Sequence, residues 1–112
     1  VTNRRYIPNR GDIVWVDFDP SSGHEQAGKR PAIILSEHPF NKIIGLSLVA
    51  PITSRVCGHG FEVTLSGKNI SGVVLCQQVK TMDYDERRLS YIEKAPQSVI
   101  NEVLKKVRAI VN

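Results

Sequence analysis

Between residues 12 and 19 the side chains of an extended chain fall into two sets. Ile13, Trp15 and Asp17 lie on one side, and Val14, Val16 and Phe18 on the other. Apolar residues on both sides predict a strand buried over most of its length. Pro20, Ser21, Ser22 and Gly23 end it, and the polar, glycine-containing stretch up to Lys29 predicts an exposed loop. Arg30 and Pro31 lead into a second apolar run of Ala32, Ile33, Ile34, Leu35 and Ser36. A proline suits the first residue of a strand because it has no N–H for the ladder. Residues 37–42 predict a short helical turn. Residues 46–52 form a third apolar strand, in which Pro51 predicts a bulge or an edge position. Phe61, Val63 and Leu65 alternate with Glu62, Thr64 and Ser66, a strand with one wet face. Residues 72–79 make another apolar run, and residues 80–83 either extend it or begin a further strand.

The periodicity then changes. Pro96 suits the first turn of a helix. After it Val99, Ile100, Val103, Leu104, Val107, Ile110 and Val111 recur at helical spacing, with Glu102, Lys105, Lys106 and Arg108 on the other face. The apolar stripe of this helix must cover something, and a curled antiparallel sheet is the available surface. The fold class read from the pattern is mainly β, a small curled antiparallel barrel or half-barrel with a C-terminal α-helix. At 112 residues the chain is expected to be one domain, 1–112, with a core that needs no disulfide or metal.

Composition narrows the setting. The chain is 41% hydrophobic and 23% charged, as in an ordinary folded domain, and has no apolar run long enough for a transmembrane helix. Residues 1–10 are polar and basic without the apolar core of a secretory signal, so the expected location is the cytoplasm, away from membranes. A net charge of +4 suits a polyanionic partner such as RNA, DNA or an acidic protein, without choosing among them. Cys57 and Cys76 show no CxxC or CxxH spacing, so a zinc site is not expected, and nothing else in the sequence assigns a metal or cofactor. Cys76 reads as core and Cys57, beside Gly58, His59 and Gly60, as a loop thiol. A Cys57 nucleophile with His59 has nothing in the sequence to orient it.

The segment from Gly23 to Arg30 sets an imidazole (His24), a carboxylate (Glu25) and two cations (Lys29, Arg30) around two glycines. RNA cleavage by the neighbouring 2′-hydroxyl needs those types. One group removes the 2′-OH proton, one protonates the departing 5′-oxygen, and a fixed cation holds the charge on the phosphoryl group. The planar fork of an arginine suits the last task. Taken singly, each residue has a plainer reading. Glu25 pairs with Lys29 in solvent, His24 sits in a turn, Arg30 blunts a strand edge, and Thr53 is an ordinary β-branched strand residue.

The order of the segments carries more than their composition. Residues 11–20 (GDIVWVDFDP) are followed by Gly23-His24-Glu25-Gln26, by Gly28-Lys29-Arg30-Pro31-Ala32 and by Pro51-Ile52-Thr53-Ser54. Gly60-Phe61-Glu62-Val63, Ser71-Gly72-Val73-Val74 and Gln78-Val79-Lys80-Thr81-Met82-Asp83 follow, and then the closing helix. The series closely resembles the MazF/PemK family of toxin–antitoxin endoribonucleases over nearly the whole chain. The resemblance implies the small β-barrel with helices shared with CcdB-type gyrase poisons. It implies a homodimer that cuts single-stranded RNA at short sequences without a metal, leaving a 2′,3′-cyclic phosphate and a 5′-hydroxyl. It also implies a cognate antitoxin whose acidic, partly disordered tail lies in the RNA groove, and operator DNA bound through the antitoxin complex.

By the same resemblance Arg30 matches the family's loop-end arginine, Thr53 its threonine and Glu25 its loop glutamate. His24 matches the PemK branch, where MazF itself has serine. The implied roles put Arg30 on the phosphate, give Thr53 a hydrogen bond to it, and leave the protons to Glu25 or His24. Lys29, Ser54, Arg55, Gln77 and Lys80 are the RNA-binding candidates, with Arg87 and Arg88 behind them and Phe18, Phe61 and Tyr84 as stacking candidates. One departure stands out. The PemK branch carries Arg-Cys-Asp in its late strand, with a catalytic aspartate, where this chain has Leu75, Cys76 and Gln77. A glutamine is no general base at neutral pH, so proton transfer falls to Glu25 or His24. The rival expectations are a CcdB-like toxin that binds a protein target such as gyrase, and a module that only binds operator DNA with its antitoxin.

Overall fold

The strand over Asp12–Asp17 (β1) pairs antiparallel with Lys29–Ile34 (β2), in a register running from Ile13 opposite Ile33 to Asp17 opposite Lys29. The computed structural model describes residues 6–19, 23–25, 28–55, 58 and 60–112. Ser47–Thr53 (β3) continues the sheet beyond β2, with Ala32 opposite Pro51 and Ile34 opposite Val49. Glu62–Ser66 (β4), Ser71–Leu75 (β5), Lys80–Met82 (β6) and Ser90–Lys94 (β7) complete it. The order across the sheet is β4-β5-β3-β2-β1-β7, with β6 on β3, and every pairing is antiparallel. Two helices, His38–Ile44 (α1) and Gln97–Val111 (α2), accompany it. This is the mainly β fold with a C-terminal helix that the pattern predicts.

Pro51 explains an interruption in the middle of the sheet. β2 occupies one edge of β3, so β5 and β6 share the other. β5 pairs with Ile52 and Thr53, β6 pairs with Ser47 to Val49, and a 3-10 turn over Cys76–Gln78 bows out between them. That excursion lies opposite Ala50 and Pro51. A proline offers no N–H, so the partner strand loses little by leaving the ladder there. Pro51 is neither on an edge strand nor a bulge against β2, whose register with β3 is regular up to it; the interruption falls on the facing segment between β5 and β6.

Alternation gives the sheet two buried faces. On one, Ile13, Ile33, Ala50, Ile52 and Val74 pack against Ile100 and Val103 of α2. On the other, Val14, Val16, Phe18, Ala32, Ile34 and Val49 pack with Met82, Tyr84 and Leu89. Burial on both faces is why β1 reads as apolar on both sides. Trp15 and Asp17, past the end of α2's cover, are exposed. The last turn of α2 also leaves Ile110 and Val111 exposed.

α1 is longer than the single turn expected over residues 37–42. It ends at Gly45, whose φ of +81° favours glycine and whose N–H donates to the Asn41 carbonyl oxygen at 2.9 Å. Buried Asn41 fastens it to the sheet. Its amide donates to the Pro8 and Ser36 carbonyl oxygens at 2.9 and 3.2 Å, and its side-chain oxygen accepts from the Ser36 hydroxyl at 2.5 Å. The Tyr84 hydroxyl donates to the Asn41 carbonyl oxygen at 2.8 Å. Cys76 is buried as expected, and burial pushes its thiol up to about 11. β7 was not foreseen, because its residues are half-exposed and show no clean alternation.

Candidate functional site

The β1–β2 loop is held at both ends. At its base the Phe18 N–H donates to the Gly28 carbonyl oxygen at 2.9 Å, and the Gly28 N–H donates to the Asp19 carboxylate at 3.0 Å. Gly28 makes this turn at φ +76°, which other residues rarely adopt. The Arg87 guanidinium donates to the Asp17 carbonyl oxygen at 2.8 Å and also to that of Asp19. Arg87 is thus spent on fixing the loop's entry. Farther out, the Gln78 amide donates to the His24 carbonyl oxygen at 3.2 Å, and the Lys80 ammonium stands 3.9 Å from the Glu25 carboxylate. Both charges are partly exposed, so the pair is worth up to about 1 kcal/mol. Its effect is positional. It brings Glu25 over the 3-10 turn, into a cleft of about 200 Å³ lined with Phe18, Pro51, Gln77 and Val79.

Arg30 and Thr53 meet in a second cleft. The bonded register between β2 and β3 ends at Ala32 opposite Pro51. Continued two residues further, the same register would bring Arg30 opposite Thr53. Both line a cleft of about 240 Å³ together with Pro31, Ser54 and the segment Asn69, Ile70 and Ser71. Thr53 is buried, and its hydroxyl oxygen accepts the Arg55 N–H at 3.2 Å. A hydroxyl that accepts in this way still has its own proton to donate. β5 runs very close behind it. A Cβ on Gly72, whose φ is +154°, would stand 2.4 Å from the Thr53 carbonyl oxygen.

Neighbouring residues of β3 line the two clefts, Pro51 the first and Ile52 and Thr53 the second. Pro51 and Thr53 are two residues apart on β3, roughly 7 Å, and point to the same face. Alternation places Arg30 on that face with Ala32 and Val16, and Lys80, opposite Val49, joins them. The structure therefore gathers Glu25, Gln77 and Lys80 in one cleft and Arg30, Thr53 and Ser54 in the next. A guanidinium beside a hydroxyl donor is suited to a phosphate, and a carboxylate one step along the strand is suited to a proton.

Other candidates fall elsewhere. Lys29, next to Arg30, faces the opposite side of the strand, with Asp17 and Trp15. His24 is exposed, and its carbonyl oxygen takes the Gln78 bond. Arg55 is exposed just past Thr53, and Arg88 is exposed with a φ of +50°. Phe18 and Tyr84 are buried, so of the three aromatic candidates only Phe61 offers surface. Gln26, Cys57 and His59 lie outside the described residues. Among the described residues no group of three or more His, Cys, Asp or Glu side chains could hold a metal, and no helix is long and apolar enough to cross a membrane. Asn69, Ile70 and Ser71 were not foreseen as cleft residues. Only strand pairing brings them to Thr53, and nothing local marks them.

Sequence and fold both match known proteins. The family model described as "PemK-like, MazF-like toxin of type II toxin-antitoxin system" matches residues 9–111. The endoribonuclease toxin MazF of Escherichia coli (strain K12) is 48% identical over 83 residues, covering 74% of this chain and 75% of that protein. The crystal structure of MazF from Deinococcus radiodurans superposes with a TM-score of 0.90 at 41% identity, covering 96% of this chain and 98% of that one. A MazE–MazF crystal structure from the same organism gives 0.83 at 36% identity, with the same coverage of each chain.

Proposed function

This chain belongs to the PemK-like, MazF-like toxins of type II toxin–antitoxin systems, and from that premise we infer that it is an endoribonuclease whose Arg30–Thr53 cleft binds the phosphate to be cut in single-stranded RNA. The observation that carries the reading is the cleft that Arg30 and Thr53 line together, two residues along β3 from Pro51, which lines the cleft holding Glu25.

In the reaction, the RNA's 2′-oxygen attacks the adjacent phosphorus as its proton leaves. The bond from phosphorus to the 5′-oxygen breaks, and that oxygen takes up a proton. The products are a 2′,3′-cyclic phosphate and a 5′-hydroxyl. Arg30 holds the phosphoryl oxygens with its paired N–H groups, and Thr53 donates its hydroxyl proton to one of them. Glu25 is favoured for proton transfer, because its carboxylate lines the neighbouring cleft; His24 is the alternative on the same loop. Gln77, in Glu25's cleft, can both donate and accept hydrogen bonds at a base edge but cannot take the proton. The RNA supplies its own nucleophile, so the reading assigns no cofactor. Ser54, Arg55 and Lys80 add donors and positive charge along the strand, and Lys29 lies on the far side of β2.

A cognate antitoxin belongs to the same reading, supported by the MazE–MazF complexes this chain resembles. An acidic, partly disordered antitoxin tail suits a chain of net charge +4, and operator DNA would be met through that complex. A homodimer is also part of it; exposed Phe40, Ile43 and Ile44 on α1 are apolar surface such a contact would cover.

The test is to incubate the purified chain with a single-stranded transcript in EDTA. Fragments ending in cyclic phosphate are expected. Arg30→Ala should lower the rate by about 10²–10³ or more while keeping the wild-type melting temperature. Intact RNA with the wild-type chain, or full activity in Arg30→Ala, would overturn the reading. Intact RNA together with inhibited gyrase would favour the protein-binding alternative.

A further inference from the structure

The two outermost strands of the sheet path are β4 and β7. Where the curled sheet brings them together, a side chain makes the connection. The Glu93 carboxylate, on β7, accepts the N–H groups of Lys68, Asn69 and Ile70 at 3.0, 2.9 and 2.8 Å. These are consecutive amides of the β4–β5 turn, which the Gly67 N–H closes on the Ile70 carbonyl oxygen at 2.9 Å. Gly67 leaves the room. A Cβ there would stand 2.6 Å from the Glu93 carboxylate.

The turn is also part of the site. Asn69 and Ile70, two of the three clamped residues, line the Arg30–Thr53 cleft with Ser71. Gly72 follows, pressed against the Thr53 carbonyl, and then Val73, paired with Thr53 in the ladder. Only a few residues of taut chain separate the clamp from the threonine.

Resting on the nuclease reading above, we propose that Glu93 is a positioning residue for the Arg30–Thr53 cleft: its carboxylate holds the β4–β5 turn as one wall of the cleft and so fixes where Thr53 stands. Glu93 itself does not line the cleft and takes no part in bond making. Its influence runs through the backbone of residues 68–73. Charge-assisted bonds to backbone amides are strong and directional, which suits a carboxylate to this role. Displacing a catalytic group by about 1 Å costs about a hundredfold in rate, so a small release of the turn is read strongly at the phosphate.

The experiment compares the full-length chain with Glu93→Gln and with Gly67→Ala, which keeps the carboxylate but crowds both it and the Ile70 carbonyl oxygen, 2.6 and 2.7 Å from the new Cβ. Single-turnover cleavage of a single-stranded transcript separates the maximal rate from the half-saturating enzyme concentration. Amide NMR follows Lys68, Asn69, Ile70, Thr53 and Val73. Each variant should lower the maximal rate by about tenfold to a hundredfold. The half-saturating concentration should stay within about threefold, because Arg30 and the neighbouring cations are untouched. The amide signals of both the turn and Thr53 should move. A smaller loss of maximal rate in both folded variants, a loss confined to binding, or unmoved amides would overturn the proposal. An inert wild-type chain refutes the nuclease reading and this inference with it; an active wild type matched by Glu93→Gln refutes this inference alone.

Discussion

Gly72→Ala puts the geometry behind Thr53 under direct strain. The new Cβ would lie 2.4 Å from the Thr53 carbonyl oxygen and 3.0 Å from its carbonyl carbon. The first distance is about 1 Å short of van der Waals contact. The obstacle is backbone, so no rotamer change relieves it. Either β5 backs away from β3 or Thr53 tips out of line. Alanine at the φ of +154° adds backbone strain of about 1–3 kcal/mol, and forced overpacking adds about 1–3 kcal/mol more. For a chain of this length each kcal/mol lowers the melting temperature by about 4 °C, so a drop of at least about 8 °C is expected. A displacement near 1 Å at Thr53 should cost about a hundredfold in RNA cleavage measured well below the melt. Gly45→Ala is the control. It also sits at positive φ (+81°), but a Cβ there meets nothing within 4 Å. It should lose about 1 kcal/mol and keep its rate. If Gly72→Ala melts within 2 °C of wild type and cleaves at the wild-type rate, the close approach of β5 does not position Thr53.

Three further outcomes are expected. Ile100→Ala removes a buried side chain joining α2 to the sheet and should cost about 2–5 kcal/mol, read as a lower urea midpoint at unchanged slope; an unshifted midpoint would mean that α2 does not rely on this contact. The Asn69 amide, with those of Ile70 and Lys68, holds the Glu93 carboxyl below the usual carboxylate range. Its folded pKa lies under its unfolded one, so its stabilisation is complete above the unfolded value of about 4.3 and is lost as pH falls through the folded value. Unfolding curves between pH 7 and 3 should therefore show a shallower acid decline for Glu93→Gln than for wild type, and parallel curves would contradict the clamp. In a Cys57→Ser background, buried Cys76, with its thiol raised to about 11, should resist a disulfide reagent at pH 8 until urea unfolds the chain, whereas rapid labelling would contradict its burial.

What the sequence by itself determined is local. The apolar runs of residues 12–19 and 32–35 and the two-residue alternation of residues 61–66 specify strands, and the helical spacing from Val99 to Val111 specifies α2, because each pattern is written within one element. Pro51 announced a break in the ladder, and the Gly23–Arg30 loop holds the residue types that RNA cleavage needs, with Thr53 joined to them only by the family resemblance. The tertiary structure decided how these parts meet. It brought Arg30 and Thr53 into one cleft, kept Lys29 on the other face, and drew Glu25 to Lys80 beside a 3-10 turn that no period foretold. It buried Tyr84 and spent Arg87 on the loop's entry, although neither residue type signals those roles. It also formed β7 from residues with little alternation of their own, by giving them β1 to pair with. The physical reason is the same in each case. A residue's face follows from its neighbours in sequence, whereas its partner follows from strand register and sheet curvature, which residues far apart in the chain settle together.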